Sequence, residues 1–335
     1  MKKLKNLKKI TTIQILSLLF LVAIVLFLLV NCDYLVRPNP IQKTGFYFNT
    51  VISVQLNDTD DTTLLDGCFA LADRYEHLFS RTLPDSEIYA INHADGKPVT
   101  VSDETIELLQ LGKDFGRLSD GRFDITIGTL SSLWDIPNNT DTIPSSEAIK
   151  AALSTVDYKQ IQITGNTVTL RNPDTQIDLG GIAKGYLADA MKAYLNEHGC
   201  HEGIINLGGN VLTIGPKQSG EKYHIGIRKP FGEDDLDLIT TVDVDDKSVV
   251  SSGRYERYFE KDGKIYHHIL DTQTGMPYDN GLNGVTIISD SSVYGDALST
   301  ICFSLGLEDG MKFIESMDDC EAIFVDVKNK LHYSK

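Results

Sequence analysis

The 335-residue sequence predicts an α+β fold. Three observations lead there. Residues 48–56 alternate apolar and polar side chains as a half-buried strand does, and residues 61–78 repeat apolar side chains at helical spacing. Two further pairs of β-rich segments close on short polar turns, which is the pattern of hairpins. Helices and antiparallel pairs in one chain with no strict βα alternation argue for mixed layers. At 41% hydrophobic and 8% aromatic, the chain can bury one large core or two modest ones.

The elements follow in order. Residues 1–32 read as a signal peptide or membrane anchor: Lys2, Lys3, Lys5, Lys8 and Lys9 precede an apolar run over residues 13–30. Eighteen helical residues span about 27 Å, near the thickness of a bilayer core. Either the segment is retained as an anchor or it is a lipoprotein signal cut before Cys32. In both cases the lysines stay inside and the rest of the chain lies on the extracytoplasmic side of the cell membrane. Residues 33–45, with Pro38 and Pro40, suit a tether, so the folded domain is expected over residues 46–335.

A strand (48–56) and a packed helix (61–78) open that domain. A second helix starts at Ser102, a good N-cap, and ends near Asp120-Gly121. Residues 134–146 have loop composition, and 147–153 form a short helix. Hairpins are expected at 160–170 around Gly165-Asn166 and at 322–333 around Lys328-Asn329. Strands 203–206 and 211–214 flank Gly208-Gly209, and a strand at 284–288 precedes a helix over 293–305.

Without the first nine residues the chain keeps 26 basic groups against 47 acidic ones. Such a surface repels nucleic acid and tolerates divalent cations. Cys68, Cys200, Cys302 and Cys320 are scattered, with no close pair of the kind that binds zinc, and are expected as mostly buried free thiols.

Several short strings carry chemistry. Asp178-Leu-Gly-Gly-Ile-Ala-Lys184-Gly places a carboxylate at a strand end, two glycines in a turn, and a lysine in the first turn of a helix running to His198. Glycines admit close backbone approach, and a helix N-terminus with an added lysine favours phosphate oxygens. The same string also reads as a plain β-to-α turn. Asp296 and Thr300, four apart on one helix face, suit a hard cation, although a cap and a core-facing threonine would give the same pattern. His267-His268 lies in a turn-rich segment where an imidazole can serve as base. Ser251-Ser-Gly-Arg-Tyr-Glu-Arg257 and Gly121-Arg-Phe-Asp124 are further polar, glycine-marked turns, and Asn206-Leu-Gly-Gly209 bends the chain between two strands.

Taken together, Gly121-x-Phe-Asp124, Asp178-Leu-Gly-Gly-x-Ala-Lys-Gly185, Asn206-Leu-Gly-Gly209, Ser252-Gly-x-Tyr255, His268-Ile-Leu-Asp-x-x-Thr-Gly275 and Asp296-Ala-Leu-x-Thr300 resemble the ApbE family of FAD:protein FMN transferases. The resemblance runs from about Phe48 to the last hairpin. It implies a T-fold-like architecture and a magnesium-dependent enzyme. Such an enzyme cleaves FAD, attaches FMN by a phosphoester to a threonine or serine of a separate acceptor protein, and releases AMP. An exported or membrane electron-transfer protein is the acceptor implied.

Carried onto this chain, the resemblance gives Gly181, Asp296 and Thr300 as metal ligands. It gives His268 as the base, with Asp124 as the other candidate. Phe48, Thr82, Arg122, Phe123, Asp124, Asp178, Lys184, Ser252, Gly253, Tyr255, His268 and Ile269 would bind the dinucleotide. Phe48 stands where many members have methionine, and Thr82 where they often have tyrosine. An FAD pyrophosphatase on the same site and a tethered FAD-binding protein are the alternatives.

Overall fold

The computed structural model describes residues 38–334 apart from Pro137 and Asp235, and of the N-terminal segment only residues 17, 20–22, 24 and 25. The expected signal or anchor, with its lysines and Cys32, lies almost wholly outside the described residues. Among the described residues no helix is long and apolar enough to cross a membrane.

In chain order the elements are β1 (Ile41–Tyr47), β2 (Thr50–Leu56), α1 (Thr62–Phe79), α2 (Glu87–Asn92), β3 (Val99–Thr100), α3 (Asp103–Leu118), α4 (Gly128–Trp134) and α5 (Ser146–Leu153). Then come β4 (Ile161–Thr164), β5 (Thr167–Leu170), α6 (Ala183–Glu197), β6 (Gly203–Leu207), β7 (Asn210–Ile214), β8 (Tyr223–Arg228) and β9 (Leu238–Val244). The chain closes with β10 (Ser248–Gly253), β11 (Tyr258–Lys261), β12 (Lys264–His267), β13 (Leu282–Ser289), α7 (Ser292–Glu315), β14 (Cys320–Asp326) and β15 (Leu331–Tyr333).

An antiparallel sheet in the order β1-β2-β6-β7-β10-β13-β14-β15 forms the backbone of the fold. One face carries α1, α6 and α7. Ile52, Val54 and Leu56 on β2, Ala72 on α1, Leu187 and Met191 on α6, and Leu298 on α7 are at most 1% exposed in that core. The β8–β9 ribbon covers part of the other face, where Tyr223, Ile225 and Val244 pack on Val249. A second, smaller core joins α4, α5 and the β11–β12 hairpin through Leu130, Trp134, Ile149 and Phe259. The α+β class expected from the sequence is therefore the observed one.

Local chemistry sets the element ends. Asp61 accepts the Thr63 N–H and Ser102 the Thr105 N–H as N-caps of α1 and α3. Sequence expectation and structure part at four places. The sheet begins at Ile41, inside the segment expected as tether: β1 pairs with β2 from Ile41 opposite Leu56. An edge strand buries only one side, so its polar residues Gln42, Lys43 and Thr44 masked it.

Phe48 and Asn49, expected inside a strand, are instead the two-residue turn between β1 and β2, with φ of 52° and 56°. Two positive φ values are what a type I′ hairpin turn requires. The loop after residue 134 is anchored at its start, for Trp134 is 0% exposed and donates its indole N–H to the Gly275 carbonyl at 2.8 Å. Finally α7 runs ten residues past the expected helix end, to Glu315, across a kink at Gly306 (φ 78°).

Cys68, Cys200 and Cys302 are buried free thiols and Cys320 is half-buried.

Candidate active site

A cavity of about 530 Å³ opens between the helical side of the large sheet and the smaller core. Phe48 and Thr82 border one end, Trp134 and Ile136 the smaller core, and Asp296 and Thr300 the helix wall. Ten of the twelve residues expected to bind the dinucleotide reach it: Phe48, Thr82, Arg122, Phe123, Asp124, Asp178, Lys184, Ser252, His268 and Ile269. Gly253 and Tyr255 do not. The Tyr255 ring lies over Gly253, where an added Cβ would come within 2.2 Å of it, and faces Phe231 at 6.2 Å behind the wall.

The three expected metal ligands converge. Asp296 is 5% exposed, and its Oδ2 accepts the Gly185 N–H at 3.0 Å and stands 3.7 Å from Lys184 Nζ. A Cβ built on Gly181 would lie 4.0 Å from Thr300 Oγ1, which in turn sits 3.5 Å from Ser252 Oγ. The set is all oxygen: a carboxylate, a hydroxyl and a backbone carbonyl. Such donors fit a hard cation of the magnesium type and not zinc. Among the described residues no group of three or more His, Cys, Asp or Glu side chains is arranged to hold a metal ion.

Close packing joins α6 and α7 at this corner. Gly185 lets α6 touch the start of α7, since a Cβ there would meet Ser292 O at 2.4 Å and Val293 Cα at 2.5 Å. No side chain next to the start of α7 in sequence caps it. Asp189, one turn further along α6, does so: it accepts the N–H groups of Ser292 (2.8 Å) and Val293 (3.0 Å) and the Ser291 hydroxyl (2.8 Å). The glycine turn and the Asp296–Thr300 face are thereby held in fixed register.

The charged groups differ in what they are free to do. Asp124 has both oxygens engaged, Oδ1 by the Thr126 N–H and hydroxyl and Oδ2 by the Tyr158 N–H. It shapes the wall, and burial pushes its carboxyl above the ordinary value. Asp178 pairs with Arg81 at 3.2 Å and accepts the Gly180 N–H.

His268 is half-buried, and its Nδ1 faces the Arg257 carbonyl at a long 3.4 Å. Desolvation first, then the charge of Arg257, push it down to about 3. It is neutral in this arrangement, and the Nδ1–H tautomer leaves the Nε2 lone pair free. An anionic ligand beside it would raise that value.

Among the cavity residues that sequence reading missed are Arg81, Asn210, Glu256 and Arg257. Glu256 and Arg257 belong to the glycine-marked string after β10, which was the available signal. Glu256 remains open to the cavity yet is ringed by protein. Desolvation outweighs Lys184 and Arg257 and pushes its carboxyl up to about 7. Arg81 and Asn210 carried no signal beyond nearby turns.

A sheet-backed cavity with an oxygen donor set, a glycine turn at a helix start and a neutral histidine defines a class: α+β proteins that handle a phosphate-bearing ligand. Comparison narrows it. The ApbE family profile matches residues 48–324. The FAD:protein FMN transferase of Klebsiella pneumoniae is 41% identical over 273 residues, 81% of this chain and 84% of that protein. The one from Treponema pallidum is 34% identical over 78% of this chain and 76% of its own length. The ApbE crystal structure from Thermotoga maritima superposes with a TM-score of 0.81 at 31% identity, covering 89% of this chain and 97% of that one. The flavin transferase ApbE from Vibrio cholerae gives 0.77 at 25%. The chain belongs to the ApbE family, the flavin transferases.

Proposed function

We propose that the chain is a magnesium-dependent FAD:protein FMN transferase. It breaks the FAD pyrophosphate, joins FMN by a phosphoester to a threonine or serine of a separate acceptor protein, and releases AMP. The observation that supports this most is the convergence of Gly181, Asp296 and Thr300 with Lys184 and His268 in one cavity.

Magnesium held by the Gly181 carbonyl, Asp296 and Thr300 would neutralise pyrophosphate charge. Lys184, in the first turn of α6, adds positive charge on the same side. His268, neutral and with a free Nε2, takes the proton of the acceptor hydroxyl as the new P–O bond forms and the bond to AMP breaks. Arg257 and Lys184 favour ligand phosphates, and a bound anion brings the imidazole back toward its usual basicity. Asp178 is held by Arg81 and shapes the turn beside the phosphates.

The N-terminal lysines and apolar run place the domain on the extracytoplasmic side of the membrane in this reading, and the acceptor there is an exported or membrane electron-transfer protein. The test is incubation of the chain from residue 38 onward with FAD, magnesium and a protein bearing an acceptor threonine. AMP together with covalently flavinylated acceptor supports the transferase. AMP and free FMN without labelled protein makes it an FAD pyrophosphatase, and intact bound FAD makes it a binding protein.

A further inference from the structure

The turn between β1 and β2 borders the cavity in a conformation that its first residue does not favour. Phe48 has a φ of 52° and Asn49 one of 56°. Asparagine tolerates the left-handed region, but a bulky aromatic residue stays there only when its surroundings impose it. A two-residue turn also leaves the N–H of its first residue without a ladder partner. Here that N–H donates to Glu76 Oε1 at 2.8 Å.

Glu76 lies in the last turn of α1, between Tyr75 and Phe79, which are 6% and 3% exposed in the large core. The helix that carries the carboxylate is therefore anchored on either side of it. The other end of the turn is gripped as well, for a Cβ on Gly208 would come within 2.2 Å of Thr50 Oγ1. Phe48, Asn49, Thr50, Glu76 and Gly208 all line the cavity, and Phe48 is half-buried against the large core.

We propose that Glu76 is a positioning residue for the dinucleotide: by accepting the Phe48 N–H it holds the β1–β2 turn in its left-handed conformation and so fixes Phe48 as a wall for bound FAD. The inference rests on the transferase reading for the identity of the ligand. Charge alone predicts the opposite sign, because taking a carboxylate away from an anionic ligand tightens binding.

The test measures FAD affinity of the full chain by quenching of flavin fluorescence without magnesium, so that no turnover is required. Wild type, Glu76→Ala, Glu76→Gln, Phe48→Ala and the Glu76→Ala/Phe48→Ala pair are compared, with melting temperatures to verify folding. Glu76→Ala should bind about tenfold more weakly, as expected when a bond to a charged acceptor is lost. Glutamine keeps an acceptor of the same reach, so Glu76→Gln should stay within about twofold of wild type. With the Phe48 ring already removed, Glu76→Ala should cause no further loss.

Wild-type or tighter binding by folded Glu76→Ala overturns the proposal. Equal weakening in Glu76→Gln also overturns it, as does the same loss with and without the Phe48 ring, since in neither case does the carboxylate act by holding that residue. If Glu76→Ala does not fold, Glu76→Asp decides: it withdraws the carboxylate by one methylene, and an affinity equal to wild type then sinks the idea. A wild-type protein that binds no FAD removes this inference and the function reading together, whereas intact wild-type binding with unaffected variants removes this inference alone.

Discussion

The carboxylate of Asp189 on α6 caps the first turn of α7 through the backbone N–H groups of Ser292 and Val293. Two helices that each carry part of the site are thus joined by charge-assisted bonds at a helix N-terminus, where a carboxylate is favoured by the helix dipole. Asp189→Ala should lower stability by about 1–2 kcal/mol, read as a shift in urea midpoint. It should also raise the magnesium concentration needed for half-maximal AMP release. An unchanged magnesium requirement would show that the cap holds the fold only.

Gly185 makes the same junction sterically. Gly185→Ala sets a methyl against the Ser292 carbonyl and Val293 Cα, both backbone and unable to swing aside. The expected cost is about 1–3 kcal/mol from overpacking. Transfer activity should fall further than Asp189→Ala makes it fall, because α7 moves away from the Gly181 turn. Calorimetric unfolding and AMP release on one preparation decide it.

Asp296 has a different signature. Its Oδ2 accepts the Gly185 N–H, so Asp296→Asn keeps the shape of the side chain and removes the charge. Loss of about a hundredfold or more in AMP release is expected, with FAD binding in the absence of magnesium close to wild type. Equal activity of wild type and variant across a magnesium titration would rule this carboxylate out as a ligand.

His267 gives the pH dependence of stability. Its Nε2–H donates to the Tyr278 carbonyl at 2.8 Å, while Nδ1 accepts the Ile269 N–H at 3.3 Å, so a second ring proton has no room. Burial pushes its pKa from 6.5 down to about 4. The unfolded chain takes up this proton first as pH falls, so stability is complete above about pH 6.5 and declines through that window toward pH 4. The linkage amounts to about 3 kcal/mol for this residue. Denaturant titrations at pH 7 and pH 4.5 should therefore differ less in His267→Gln than in wild type.

Much of this was legible in the sequence because local chemistry and tertiary role coincide. Ser102 caps where its type predicts, and Asp178, Lys184, Asp296 and Thr300 meet because glycines and helical spacing bring them together. What stayed hidden depends on partners far away in sequence. The strand β1 is polar because its outer side is solvent. The β8–β9 ribbon has a partner face on the sheet that no window of residues can show. Trp134 looked like the start of a loop because the carbonyl that receives its N–H belongs to Gly275, 141 residues later. Glu256 is notable only for the protein around it, and Tyr255 left the cavity because Gly253 made space for its ring.

The thiols of the folded domain have a practical consequence. Burial pushes Cys68, Cys200 and Cys302 each up to about 12, so none is a thiolate at neutral pH. The cysteines of the described domain are all free, so its fold rests on packing and not on a disulfide. Reductants can accompany FAD and magnesium in every assay above without cost to the fold, and alkylation of these three thiols will count unfolded molecules rather than native ones, Cys320 being only half-buried.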